Sequence, residues 1–148
     1  MWTNIYFNVN IRVIFNLQET GGIVADNSAV RVLIVDDSGT IRKTAETILG
    51  KEGYTVATAE DGFAAFSKII AFKPNIIFLD IMMPRLDGYQ VCSVIKNNPE
   101  FKDVPVLMLS SKDSVFDKAR GKIVGSNQFM TKPFSRDELL TAIREHIN

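Results

Sequence analysis

A chain of 148 residues has room for one compact domain, and so for one main functional site. Lys plus Arg equal Asp plus Glu at 17 each, which excludes the strong basic field that a nucleic-acid backbone requires and the charge block of a membrane-surface binder. One cysteine and one histidine exclude an intramolecular disulfide and a Cys/His zinc site.

Residues 1–29 differ in character from the rest. Ile5, Phe7, Val9, Ile11, Val13 and Phe15 alternate at period two, as an edge strand would. Asn4, Asn8, Asn10 and Asn16 punctuate the run, and Gly21-Gly22 breaks it from the remainder of the chain. Three readings stay open: a disordered or loosely docked tail, an upstream start, or an extra strand or dimer arm. An exposed alternating strand would also be an association liability. The segment lacks the charged opening and continuous apolar stretch of a secretory signal, and no run of about 18 apolar residues predicts a membrane span. A cytoplasmic protein is the expectation.

From Val30 onward, β-branched runs alternate with segments of helical period, the signature of a parallel sheet with covering helices. The predicted strands are residues 31–35, 55–59, 75–79, 106–109 and 128–131. The first, third and fourth are almost wholly apolar, as strands buried on both faces should be. The first helix, predicted over 40–49, places Ile41, Ala45, Ile48 and Leu49 on one face and is expected to stop at Gly50. Cys92 lies among Tyr89, Val91, Val94 and Ile95 at helical spacing and reads as a core thiol. The last helix opens on the capping box Ser135-Arg136-Asp137-Glu138, and its Leu139, Leu140, Ile143 and Ile147 face the sheet. His146 is expected in solvent at a frayed end. The fold class is α/β, doubly wound.

In such a sheet, ligands bind beyond the carboxyl ends of the strands. The residues there are Asp36 and Asp37, then Asp80, then Ser110 and Ser111, and finally Lys132. Three acids in close company repel each other unless a cation sits among them. With oxygen donors alone on offer, Mg²⁺ is the simplest such ion. Asp80 would then attack phosphorus, with the metal and Lys132 drawing off charge. Taken singly, each residue has an ordinary reading. Asp36 and Asp37 would cap the next helix, Ser110 and Ser111 would be turn residues, Lys132 a surface lysine, and Met82 and Met83 core filler. Their joint placement at four strand ends outweighs those readings.

The stretches VRVLIVDDSGTIRK, IIFLDIMMPRLDGYQ, PVLMLSSKD and FMTKPF, in this order, resemble the successive signatures of response-regulator receiver domains over residues 30–148. The resemblance implies a flavodoxin-like (α/β)5 fold with strand order 2-1-3-4-5. It makes Asp80 the phosphoacceptor, with Asp37 and the Met82 backbone carbonyl as direct Mg²⁺ ligands and Asp36 acting mainly through water. Lys132 would hold a phosphoryl oxygen, and Ser110 and Phe129 would form the switch pair. As an ordinary strand residue, Phe129 would simply be half packed on the last helix. Gly39, Ser38 and Met82 stand where side chains modulate the attacking water, which leaves the phosphate lifetime open.

TAETILGKEGYTVATAEDGFAA and LSSKDSVFDKARGKIVGSNQFMTKPFSRDELL look most like regulators of the chemotaxis-like pathway that controls type IV pili and twitching motility. That closer likeness implies a histidine kinase of the chemotaxis type as donor and a pilus-extension component as target. Only one helix follows Lys132-Pro133, so the signal is expected to leave by protein contact, through a face made by the fourth helix (residues 114–123), the fifth strand and the fifth helix. Such a protein is no enzyme beyond assisting its own phosphorylation and dephosphorylation. A phosphate sink or relay intermediate would share every residue but need no target. Two other classes fit worse. A flavodoxin-type cofactor binder would set a permanent phosphate on Ser38-Gly39-Thr40 beside two acids. A haloacid-dehalogenase-type hydrolase would need a second acid two residues after Asp80, where Met82 stands.

Overall fold

The computed structural model describes residues 13–14, 24–112 and 114–147. Its framework is five parallel strands and five helices in strict alternation: β1 Arg31–Val35, α1 Gly39–Lys51, β2 Thr55–Ala59, α2 Gly62–Phe72, β3 Ile76–Asp80, α3 Gly88–Lys96, β4 Val106–Ser110, α4 Val115–Ile123, β5 Gln128–Thr131 and α5 Arg136–His146. The order across the sheet is β2-β1-β3-β4-β5. Three strands match the sequence expectation at both ends. The other two run one residue further, because Asp80 still pairs with Leu109 and Ser110 with Thr131 in the ladder. β3 also begins one residue late, since the Asn75 side chain is occupied in accepting from the Arg31 amide at 2.7 Å.

Alternation along the strands splits the interior into two layers. Leu33, Val35, Ile77, Leu79, Val106 and Met108 pack under α2 and α3, against Ala65, Ile69, Val91, Cys92 and Ile95. Val32, Ile34, Ile76, Phe78, Leu107 and Leu109 pack under α1 and α5, against Ala45, Leu49, Leu139, Leu140 and Ile143. Every residue of β3 and β4 is buried, as expected of strands covered on both faces. Cys92 is a core thiol, and burial pushes it up to about 11. At this end of the scale it is inert.

Two local expectations need correction. α1 does not stop at Gly50 but continues to Lys51, and the positive φ that ends the turn falls on Gly53, at +88°. Gly50 is exposed with open space around it, so it stays helical at the modest cost glycine carries there, and the second glycine of the pair makes the stop. His146 is not a frayed, exposed residue: it is the last residue of α5, half-buried, with its ring 2.8 Å from Gln128 Oε1. The capping box at Ser135 and Glu138, by contrast, forms as read, with Ser135 Oγ accepting from the Glu138 amide at 3.1 Å.

Of the alternating run at 5–15, only Val13 and Ile14 fall within the described residues. They pair antiparallel with Val24–Ala25. The chain then meets the sheet: Asn27 Nδ2 donates to the Glu52 carbonyl at 2.8 Å, and Thr55 Oγ1 donates to the Ser28 carbonyl at 2.6 Å. Among the described residues, no helix is long and apolar enough to cross a membrane.

Candidate functional site: an acidic pocket at the carboxyl end of the sheet

The described residues contain three buried polar or charged side chains, Asp36, Asp80 and Ser110, and all three lie at the carboxyl end of the sheet. Burial of this kind is expensive unless partners are present. Strand order supplies them. β1 and β3 are neighbours, so Asp36, one residue past β1, and Asp80, at the end of β3, arrive side by side. β5 lies beyond β4 and delivers Lys132, whose backbone N–H donates to the Ser110 carbonyl at 2.7 Å.

The Lys132 ammonium bridges the two buried acids, 3.0 Å from Asp36 Oδ2 and 3.1 Å from Asp80 Oδ1. Asp80 Oδ1 also accepts from the Met82 amide at 3.2 Å, and Asp36 Oδ1 from the Ser38 amide at 2.9 Å. Asp37 is exposed at the mouth. One carboxylate oxygen from each of Asp36, Asp37 and Asp80 lies within 4.8 Å of the others. Three carboxylates against one ammonium leave an excess of negative charge, and every donor turned inward is oxygen. This is the chemistry of a hard divalent cation such as Mg²⁺.

The electrostatics agree. Burial, and next the neighbouring Asp36, raise the Asp80 carboxyl to about 6, although hydrogen bonding and charge from Lys132 pull the other way. For Lys132, burial alone would lower the ammonium, but its bonds to Asp36 and Asp80 outweigh this and raise it. Asp80 is thus a buried carboxyl held more basic than usual beside a fixed cation, with the exposed Asp37 next to it.

Asp36, Asp37, Asp80 and Lys132 converge as predicted, and Ser110 lies beside them at the end of β4. Ser38, rather than either acid, is the N-cap of α1, with its Oγ accepting from the Ile41 amide at 3.3 Å. Ser110 Oγ accepts from the Lys112 amide at 3.0 Å, within its own turn. Phe129 is half-buried against the α2 and α3 layer, and the Lys118 ammonium of α4 stands 5.7 Å from its ring centroid. The two methionines part company: Met83 is core, whereas Met82 is 69% exposed beside the pocket. Ser111 is exposed.

Sequence reasoning missed two supports. The Arg42 guanidinium on α1 donates to the Asp36 carbonyl at 2.7 Å and fixes the backbone of the acid pair. A Cβ on Gly88 would lie 2.4 Å from the Asp80 carbonyl oxygen, so only glycine lets α3 approach the end of β3 this closely. Asp87 caps α3, and nothing in the sequence announced what Gly88 would touch.

Comparison with known proteins agrees with this geometry. The response regulator receiver domain model matches residues 32–144. Protein PilG of Pseudomonas aeruginosa is 62% identical over 121 residues, covering 82% of this chain and 90% of that one. The response regulator MprA of Mycobacterium ulcerans is 39% identical over 116 residues, covering 78% of this chain, which spans about half (49%) of MprA. Among solved structures, the chemotaxis protein CheY4 of Vibrio cholerae superposes with a TM-score of 0.76 at 33% identity, covering 79% of this chain and 98% of CheY4. The receiver domain of the Francisella response regulator 1452 gives 0.73 at 32%, with 80% and 96% covered. Motif order, strand order and pocket agree with these matches: the chain belongs to the response regulator receiver domain family.

Proposed function

We propose that Asp80 accepts a phosphoryl group from a histidine kinase of the chemotaxis type and that the chain signals through phosphorylation-dependent protein binding. The observation that carries this is the buried Asp80 carboxylate, raised to about 6, with Lys132 at 3.1 Å and two further acids close by. A carboxylate oxygen of Asp80 forms a bond to phosphorus as the bond from phosphorus to the donor's imidazole nitrogen breaks, and that nitrogen keeps the electron pair. Lys132, 3.1 Å from Asp80 Oδ1, would hold a phosphoryl oxygen. Mg²⁺, held by Asp37, Asp80 and the Met82 carbonyl, with Asp36 acting through water, would neutralise charge growing on the phosphoryl oxygens. Ser110 would turn from the Lys112 amide towards the new phosphate, with Phe129 following. The chain does no catalysis beyond assisting its own phosphorylation and dephosphorylation.

Residues 30–148 form the receiver in this reading, and residues 1–29 an extension. α4 exposes Val115, Phe116 and Ile123, and its Lys118 stands over the Phe129 ring, which favours an output that binds a target over a phosphate sink. The likeness to PilG supports a cytoplasmic role in type IV pilus and twitching-motility control, with a pilus-extension component as target. The test has two arms. Phosphate should pass from a phosphorylated chemotaxis-type kinase to the wild type and not to Asp80→Asn. In a strain lacking the gene, the wild type should restore surface motility and Asp80→Asn should not. Phosphotransfer without any effect on motility would retain the chemistry and reject the pathway.

A further inference from the structure

The loop between β3 and α3 leaves Asp80 through Ile81 and Met82, and its middle is held from outside the pocket. Arg85, five residues after Asp80, has φ of +69°, a left-handed conformation that residues other than glycine seldom adopt. Its side chain reaches to the start of α2. The guanidinium lies 3.1 Å from Asp61 Oδ2 and 5.1 Å from the centroid of the Phe63 ring. Asp61 is committed on its other oxygen, where Oδ1 accepts from the Ala64 amide at 2.7 Å as the N-cap of α2. Leu86 packs into the space left by Gly62, where an added Cβ would lie 2.9 Å from Leu86 Cβ. Two consecutive loop residues therefore grip three consecutive residues at the head of α2. Three positions before Arg85, the Met82 amide donates directly to the Asp80 carboxylate.

We propose that Arg85 is a positioning residue for the acidic pocket: by gripping Asp61 and Phe63 it fixes the Met82 backbone, and so sets the affinity of the pocket for a divalent cation. The inference rests on the reading of Asp36, Asp37 and Asp80 as a cation site and adds a control outside it. Arg85 is 66% exposed in its side chain, so the grip contributes little to global stability. Its effect falls on the local order of the loop. Without it, the loop must be ordered as the cation binds, and affinity falls accordingly. An exposed ion pair and an exposed cation–π contact together correspond to about fivefold.

The experiment titrates Mg²⁺ into the full chain, followed by the amide resonances of residues 81 and 82, and measures hydrogen exchange at Met82 in the metal-free protein. Arg85→Gly keeps the left-handed backbone without strain. Asp61→Asn keeps the helix cap but removes the charge. Arg85→Gly should weaken Mg²⁺ by about fivefold, and Asp61→Asn, which leaves the Phe63 contact in place, by about twofold; both should speed Met82 exchange, with the urea midpoint close to wild type. The double variant should be no worse than Arg85→Gly alone, because that substitution already removes the contact with Asp61. Arg85→Lys should recover part of the loss, since lysine keeps the charge and this chain already accepts one, Lys73, at φ of +52°. Wild-type Mg²⁺ affinity and Met82 exchange in Arg85→Gly would overturn the positioning role and leave the cation site standing. A wild type that does not bind Mg²⁺ would overturn both.

Discussion

Replacing Asp80 by asparagine should make the metal-free domain more stable at neutral pH and leave it unchanged in acid. The folded carboxyl titrates at about 6 against an ordinary value of 3.8, so the folded state binds more protons than the unfolded one across that window. Stability therefore falls as pH rises from about 4 to about 6, then levels off at its lowest. Two pH units at 1.36 kcal/mol each give a penalty of about 3 kcal/mol above pH 6, borne by a side chain only 2% exposed. Asparagine has the same shape and no charge, and Lys132 keeps its bond to Asp36 at 3.0 Å. Urea unfolding in a chelating buffer at pH 4 and pH 7.5 measures the effect: the midpoint of Asp80→Asn should exceed wild type by about 1–2 M at pH 7.5 and coincide with it at pH 4. Added Mg²⁺ should narrow the gap at pH 7.5 by stabilising only the wild type. Equal midpoints at pH 7.5, or a gap that widens in acid, would refute the burial argument.

Lys132→Ala should lose about 3 kcal/mol or more without metal at pH 7, because Asp36 and Asp80 then share a buried site with no cation between them. It should still bind Mg²⁺ but fail to bind a target in response to phosphate, and a pull-down with phosphorylated protein would show this. Gly88→Ala forces a Cβ to 2.4 Å from the Asp80 carbonyl oxygen, so it should cost about 1–3 kcal/mol in urea unfolding and slow phosphoryl uptake. Ser135→Ala removes the cap of α5, whose hydroxyl accepts from the Glu138 amide, and should lower stability by about 1 kcal/mol with phosphoryl uptake little changed.

The framework was legible because each layer leaves a local mark. Runs such as Val106-Leu107-Met108-Leu109 show burial on both faces, and Ser135 with Glu138 marks a helix start. The acidic pocket was legible because strand ends are sequence-adjacent to the residues they deliver. What escaped depends on approach between distant segments. Gly50 read as the helix stop, yet the helix runs on to Lys51 and the positive φ falls on Gly53. Met82 and Met83 are indistinguishable by type, yet one turns outward and the other inward. Arg42, Arg85 and Gly88 act on backbone or side chains brought to them by the fold, so their motifs carried no sign of it.

Intact-protein mass after incubation with Mg²⁺ and acetyl phosphate tests the central claim most directly. The wild type should gain a single phosphoryl adduct that survives acid and is lost in base, and Asp80→Asn should gain none. An adduct on Asp80→Asn, or one on the wild type that mapped to another residue, would contradict the assignment of Asp80 as the phosphoacceptor.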